Sequence, residues 1–359
     1  KFGVIYEICR PDPDWATEEE TYWQALDQCI LAEEVGFDHV WCVEHHFLEN
    51  YSLSSAPEVF LSAVAQRTER IRIGHGVRLL PPPFNHPARS ASSAAVLDIL
   101  SRGRLEFGVG RSITEQELGG FGVEPGDSRP MLEEVLPEIV KMWTNHTYPG
   151  HEGEHFSMPP RVVQPKPLQD PHPPLWMACT QPTSFEMAAD FGAGALAFGL
   201  GLPGDLAEAV QVYKARIAEP RRQAGLFVND NIAAAGMMFC ATEETKAREM
   251  GGAAQLWYAA NAASLFAPWA AREVPGYEWY HQLAKDPSLF EAESLRQRLN
   301  DGLSLVGSPD QVQAGVQRYA DLGIDQLICI VQVGRVAHDE ICDSLRLFGK
   351  EVIPKFRVG

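Results

Sequence analysis

Short, almost continuous apolar runs alternate along this chain with longer segments in which apolar residues recur at every third or fourth position. The runs predict strands buried on both faces, and the longer segments predict amphipathic helices. Residues 2–7 form the first strand. Residues 17–36 form the first helix, with Tyr22, Ala25, Leu26, Cys29, Ile30 and Ala32 at helical spacing and Gly36 as terminator. Strand 39–43 precedes helix 56–67, and strand 71–79 precedes a helix that Pro87 opens and that runs to Leu100. Strand 104–110 and helix 128–145 make the fourth unit. A stretch rich in Pro, His and Gly over 147–174 reads as an ordered excursion across the surface. The alternation resumes with strand 175–178 and helix 183–191, strand 195–198 and helix 205–223, strand 232–240 and helix 242–263, and strand 326–331 and helix 338–350. Eight such units predict an α/β fold, a (β/α)8 TIM barrel, as one domain over residues 1–359.

One segment breaks the rhythm. Residues 266–305 are aromatic-rich and irregular, with Trp269, Tyr277, Trp279, Tyr280 and Phe290, and they precede the eighth strand. A long insertion there predicts a lid over the catalytic end of the barrel.

Composition narrows the class of function. The 359 residues are 45% hydrophobic and 22% charged, as in ordinary globular proteins. The net charge is -18 without a block of lysine or arginine, which argues against nucleic acid or an anionic membrane as partner. No apolar window is long enough to span a bilayer, and the opening Lys1-Phe2-Gly3-Val4-Ile5-Tyr6 reads as a strand rather than a signal peptide, so a cytoplasmic protein is expected. The seven cysteines are scattered and include no CxxC pair, which predicts buried, reduced thiols and no metal site.

The candidate chemistry lies where strands end. The second strand closes on Trp41-Cys42-Val43-Glu44-His45-His46-Phe47, so a buried run gives way abruptly to titratable side chains. Histidine titrates nearest neutrality, and two beside a carboxylate suit proton transfer. His75 and Gly76 lie on strand three. Arg111 and Ser112 follow strand four, and Thr180, Gln181, Thr183 and Ser184 follow strand five and open its helix. A helix N-terminus with hydroxyls, completed by an arginine, suits a phosphate. There is no Walker motif and no GxGxxG at a first βαβ unit, so neither a nucleoside triphosphate nor a dinucleotide is indicated.

Four segments in this order resemble the bacterial luciferase-like family of flavin-dependent monooxygenases: EEVGFDHVWCVEHHF (33–47), RGRLEFGVGR (102–111), PLWMACTQPTSFEMAADFG (174–192) and LVGSPDQV (305–312). The resemblance covers nearly the whole chain. It implies that His45 is the catalytic histidine, with Glu44 or His46 fixing its tautomer. Arg111, with Gln181, Thr183 and Ser184, would hold the phosphate of FMN. Glu44, Gly76, Val77, Phe198 and Trp257 would lie near the isoalloxazine ring, with a cis peptide at Gly76–Val77, and Phe47 near the substrate. The implied activity is that of a two-component monooxygenase. Reduced FMN arrives from a separate flavin reductase and, through a C4a-peroxyflavin, one atom of O2 passes to a small organic substrate. A homodimer packed through helices of the second and third units is also implied. A deazaflavin-dependent dehydrogenase and a non-catalytic flavin-binding subunit are the alternatives on the same fold. Gly110 stands where the light-emitting subunit has a reactive cysteine, Thr180 where it has a glutamate and Gly199 where it has a tryptophan, and the loop 81–87 is longer. These departures bear on aldehyde specificity and light emission rather than on the flavin site.

Overall fold

In the computed structural model, which describes residues 1–198, 203–300 and 304–357, eight parallel strands close on themselves. They are β1 (Phe2–Tyr6), β2 (His39–Cys42), β3 (Arg72–His75), β4 (Leu105–Gly110), β5 (Leu175–Cys179), β6 (Gly194–Ala197), β7 (Ile232–Cys240) and β8 (Gln326–Ile330). Each pairs with the next, and β8 returns to β1 with Leu327 beside Phe2 and Ile330 beside Ile5. This is the expected TIM barrel. Its outer ring is α1 (Glu18–Val35), α2 (Pro57–Arg67), α3 (Pro87–Leu100), α4 (Pro125–Thr144), α5 (Pro182–Asp190), α6 (Pro203–Ile217), α7 (Glu244–Phe266) and α8 (His338–Glu351).

Local chemistry explains where elements start and stop. Thr17 and Glu20 form a reciprocal cap at the start of α1, and Gly36 ends it at φ 101°, a left-handed conformation that glycine adopts without steric penalty. Inside the barrel the fully buried Trp41 indole needs glycine opposite it: a β-carbon on Gly74 would fall 2.1 Å from the ring.

The structure departs from the expected elements in several places, and the helix expected over 205–223 ends at Ile217. The third strand stops at His75. The cis bond Gly76–Val77 follows, and Arg78–Leu79 then pairs with β4 as a separate short strand. The excursion over 147–174 contains a small hairpin, His151–Glu152 with Ser157–Met158. The segment expected to be irregular is largely helical, with helices Glu278–Lys285 and Ala292–Asn300 and 3-10 turns at Ala267–Ala271 and Pro287–Phe290. Each piece is too short for its apolar period to be read from sequence.

That segment covers the carboxyl end of the barrel. Trp269 Nε1 donates to Ile113 O (2.9 Å), Tyr277 Oη donates to Ser112 O (3.0 Å), and the Tyr280 and Thr180 hydroxyls lie 2.6 Å apart. Trp269, Tyr277 and Tyr280 form, with Leu118 and Val123, an apolar core separate from that of the barrel. Besides the helices Glu115–Gly120 and Ile353–Phe356, a strand and a helix before β8 were not anticipated. Leu305–Gly307 adds to β7, and the helix Pro309–Asp321 follows it with a cap from Ser308. Among the described residues no helix is long and apolar enough to cross a membrane.

Candidate active site

A cavity of about 210 Å³ opens between the strand ends and the lid, and its two ends differ chemically. One end is built on His45, just past β2, where its N–H donates to Ser54 O (2.9 Å). Its imidazole sits between two carboxylates. Nδ1 lies 2.9 Å from Glu117 Oε1, and Nε2 lies 3.6 Å from Glu7 Oε2.

Glu117 is carried by a short helix, Glu115–Gly120, that Thr114 caps. Its Oε2 accepts from Ser112 Oγ (2.8 Å) and Thr114 Oγ1 (2.7 Å), and its Oε1 also accepts from His46 N (3.0 Å). Burial opposes its charge, yet His45 and these donors outweigh it, so the carboxyl is held below its ordinary value and stays ionised. For His45, burial likewise disfavours the charge, but Glu117, Glu7 and Glu44 override it and raise the imidazole to about 9. His45 is therefore an imidazolium near neutral pH, with Nδ1 committed to Glu117 and Nε2 turned toward Glu7.

This arrangement corrects the expected source of orientation. Glu44 accepts from Leu79 N (2.9 Å), Asn85 Nδ2 (2.7 Å) and His46 Nε2 (3.2 Å). Glu44 and His46 are thus engaged with each other and with the loop after β3, and Glu117 fixes the His45 ring. Sequence spacing gave no hint of Glu117, which lies 72 positions from His45. Glu7 immediately follows β1, which pairs with β2, and its place at that strand end was its one legible sign.

Elsewhere the cavity is lined by Arg111 and Gln181, and Arg129 lies in an adjoining surface pocket that shares Gln181. Arg111 stacks over the Tyr277 ring at 4.1 Å, donates to Ser128 Oγ (2.9 Å) and donates from Nη2 to Gly276 O. Gln181 Nε2 donates to the same carbonyl (3.0 Å). Arg129 Nη2 donates to Thr183 Oγ1 (3.1 Å), while its Nε is buried without a partner. Burial and the neighbouring Arg111 charge both lower the Arg129 guanidinium. Two adjacent cations near the N-terminus of α5 suit an anion. Ser184 serves that loop from within. Its Oγ accepts from Thr180 N (3.1 Å) and Gln181 N (3.2 Å) and donates to Gln181 O (2.6 Å). Arg129, inside α4, was not anticipated from sequence, since nothing in its spacing distinguishes it from a solvent-facing helical arginine.

Between the ends the cavity has an apolar floor. Gly76, Val77, Met177, Ala178 and Phe198 line it, together with Glu44, His45, Arg111, Gln181 and Ser184. Gly110 is required by Val77, whose Cγ2 would lie 2.4 Å from a β-carbon there. Three expected site residues lie elsewhere. Thr183 faces a shallow surface pocket with Arg129 and Gly276. Trp257 is partly buried against the barrel core, whereas α7 turns Gln255, Tyr258, Ala259, Ala262 and Phe266 toward the cavity. Phe47 has φ 64° and is 63% exposed, and it packs with Phe121 and His46 into an aromatic rim. Gly199 lies outside the described residues. Among the described residues no cluster of three or more His, Cys, Asp or Glu could hold a metal ion.

Comparison with known proteins gives a consistent picture. The family model described as luciferase-like monooxygenase matches residues 1–326. The chain is 32% identical over 181 residues to the flavin-dependent trigonelline monooxygenase, oxygenase component, of Acinetobacter baylyi; the match covers 50% of this chain and 49% of that protein. The chain thus spans about half the length of that curated relative. Among solved structures, the monooxygenase RslO1 from Streptomyces bottropensis superposes with TM-score 0.83 and 27% identity, covering 99% of this chain and 100% of that one. Two others share the fold. The oxygenating constituent of 3,6-diketocamphane monooxygenase from Pseudomonas putida, solved with FMN, has TM-score 0.79 and 21% identity over 100% of this chain and 99% of that one. The coenzyme F420-dependent tetrahydromethanopterin reductase of Methanopyrus kandleri has TM-score 0.69 and 20% identity over 99% of each.

Proposed function

The chain belongs to the luciferase-like monooxygenase family, and on that premise we propose that it is the oxygenase component of a two-component system. In this reading it takes FMN reduced by a separate flavin reductase and, with O2, inserts one oxygen atom into a small organic substrate. The observation that carries the reading is a cavity lined by both Arg111 and a charged, doubly buttressed His45, with Arg129 and Thr183 in the surface pocket that adjoins it at Gln181.

The residues fit the cofactor by their chemistry. Arg111, Arg129, Gln181 and Thr183 offer donors to a phosphate, and the unpartnered Arg129 Nε offers one more. Ser184 holds the loop that presents them. Gly76, Val77 and Phe198 form the surface on which a planar ring would rest, with Glu44 holding the loop beneath through Leu79 and Asn85. Reduced FMN, when bound, supplies the electrons that activate dioxygen. His45 gives a proton from Nε2 to oxygen at the reacting end, while Glu117 keeps the ring oriented and charged. Trp269, Tyr277 and Tyr280 keep the lid over this chemistry and exclude water. Phe47 stands at the rim, where a substrate would enter, and Trp257 braces α7 from outside the cavity.

The partners follow from the same reading. The name of the Acinetobacter relative includes an oxygenase component, which supports delivery of reduced FMN by another protein. Exposed apolar side chains on α2 and α3 support a homodimer. All seven cysteines are buried and free, which suits the cytoplasm. The test is a single turnover with pre-reduced FMN, isotopically labelled dioxygen and a panel of small ketones, aldehydes and aromatic compounds. The expected result is a product carrying one labelled atom; a product whose new oxygen comes from water would overturn the assignment.

A further inference from the structure

Glu7 has no task in the reaction above, although it lines the cavity and is buried. Its surroundings differ from those of Glu117. Oε1 accepts from the Tyr258 hydroxyl at 3.1 Å, and Tyr258 in turn accepts from the Tyr51 hydroxyl at 2.6 Å. Oε2 makes no hydrogen bond and faces His45 Nε2 at 3.6 Å. The two phenols therefore already donate in one direction, toward Glu7, and the carboxyl end of the chain points at the ring nitrogen left free by Glu117. Tyr258 is buried, whereas Tyr51 is partly exposed and lines the cavity, so water in the cavity can reach the far end of the row.

We propose that Tyr51, Tyr258 and Glu7 form a proton path that ends at His45 Nε2 and returns a proton to the imidazole after each turnover. The inference rests on reading His45 as the group that gives up the proton. The transfer draws one proton from solvent. Once His45 has released its Nε2 proton, Tyr258 passes its hydroxyl proton to Oε1 of the Glu7 carboxylate, Tyr51 passes its own to Tyr258, and an acid in solvent reprotonates Tyr51. Rotation of the Glu7 carboxyl then brings the new O–H to Nε2, where the O–H bond breaks, an N–H bond forms and the carboxylate is restored. At 3.6 Å the last gap must close by roughly half an ångström, and Oε2 has no competing hydrogen bond to break.

Burial raises the Glu7 carboxyl above its ordinary value, against the opposing pull of His45 and of the Tyr258 hydrogen bond, and the nearby Glu117 raises it further. Glu117 cannot fill this role: it is held ionised by hydroxyl and amide donors, and its bond is to Nδ1. A merely structural Tyr–Tyr–Glu row would fill space and stabilise the fold without affecting proton movement at His45.

The test uses flavin-free protein and follows His45 by NMR, through its titration and the exchange rate of its Nε2 proton. Tyr258→Phe should leave the titration close to that of the parent, because Glu7 remains, yet slow exchange about tenfold, the low end of what positioned acid–base groups contribute. Tyr51→Phe should act in the same direction. Glu7→Gln should slow exchange and bring the titration down from about 9 toward the ordinary imidazole value. Parental exchange rates in folded Tyr258→Phe and Glu7→Gln proteins would overturn the path. Because no flavin or substrate is present, failure of the oxygenase reading would leave this result standing, and failure of the path would leave that reading intact.

Discussion

His45 Nδ1 and Glu117 Oε1 lie 2.9 Å apart although 72 positions separate the two residues in sequence. The pair decides what His45 can do. A carboxylate that already holds hydroxyl and amide donors cannot take the imidazole proton, so it stabilises the charged ring and makes His45 an acid at neutral pH.

A pH dependence follows. The His45 value is raised to about 9, so the proton-donating form is lost as pH rises through that value, and turnover should fall along an alkaline limb there. Glu117→Gln removes the largest stabilising partner and should bring that limb down by a unit or more. The sign for stability is the same. The raised value contributes stability that is fully present below the unfolded value of about 6.5 and is lost as pH climbs through 9. Denaturant unfolding at neutral and alkaline pH, parent against Glu117→Gln, measures it: the parent should lose more stability than the variant over that window.

The arginine pair makes a binding prediction. Arg111→Ala and Arg129→Ala should each weaken reduced FMN by about one to two decades, the worth of a charge-assisted bond to a phosphate. Anaerobic titration of flavin fluorescence reads this directly. Parental affinity in both variants would place the phosphate elsewhere.

Gly276 ties the lid to that site. Its carbonyl accepts from both Arg111 and Gln181, its φ is 82°, and a β-carbon would lie 3.4 Å from Arg111 Nη2. Gly276→Ala should strain the turn by about 1–2 kcal/mol and loosen the lid. Faster protease cleavage within 266–300, together with weaker reduced FMN binding, is the expected outcome.

The outer face of α2 and α3 carries Val59 (68% exposed), Val96 (41%), Ile99 (43%) and Leu100 (42%). An apolar patch on two neighbouring helices is suited to a second copy of the chain. Light scattering should return twice the 39.7 kDa chain mass, and Val59→Glu with Ile99→Glu should return the chain mass itself.

Much of the fold was legible because parallel strands buried on both faces and helices with one apolar stripe have different periods, and all eight alternations kept theirs. The lid was legible as an interruption but not as helices, since Glu278–Lys285 and Ala292–Asn300 are each only two turns or so long. The helix Pro309–Asp321 carries a legible start at Ser308, Pro309 and Gln311, but it lies between the lid and β8, outside the strand–helix alternation. At the site, His45 and Arg111 stood out because a titratable or cationic group directly follows an apolar run. Glu7, Glu117 and Arg129 did not, because their roles come from contacts with residues distant in sequence. Arg104, in one of the resembling segments, acts in the fold instead. Its guanidinium donates to Ala65 O, Thr68 O and Ile71 O and ties the end of α2 to β4.

Whether reduced FMN sits between the arginines and His45 is decided by anaerobic equilibrium dialysis of the protein against reduced FMN and, separately, against a reduced deazaflavin. Reduced FMN should be retained, Arg111→Ala with Arg129→Ala should release it, and His45→Ala should keep it. Retention of the deazaflavin with free passage of reduced FMN would show that the cavity is built for the other cofactor.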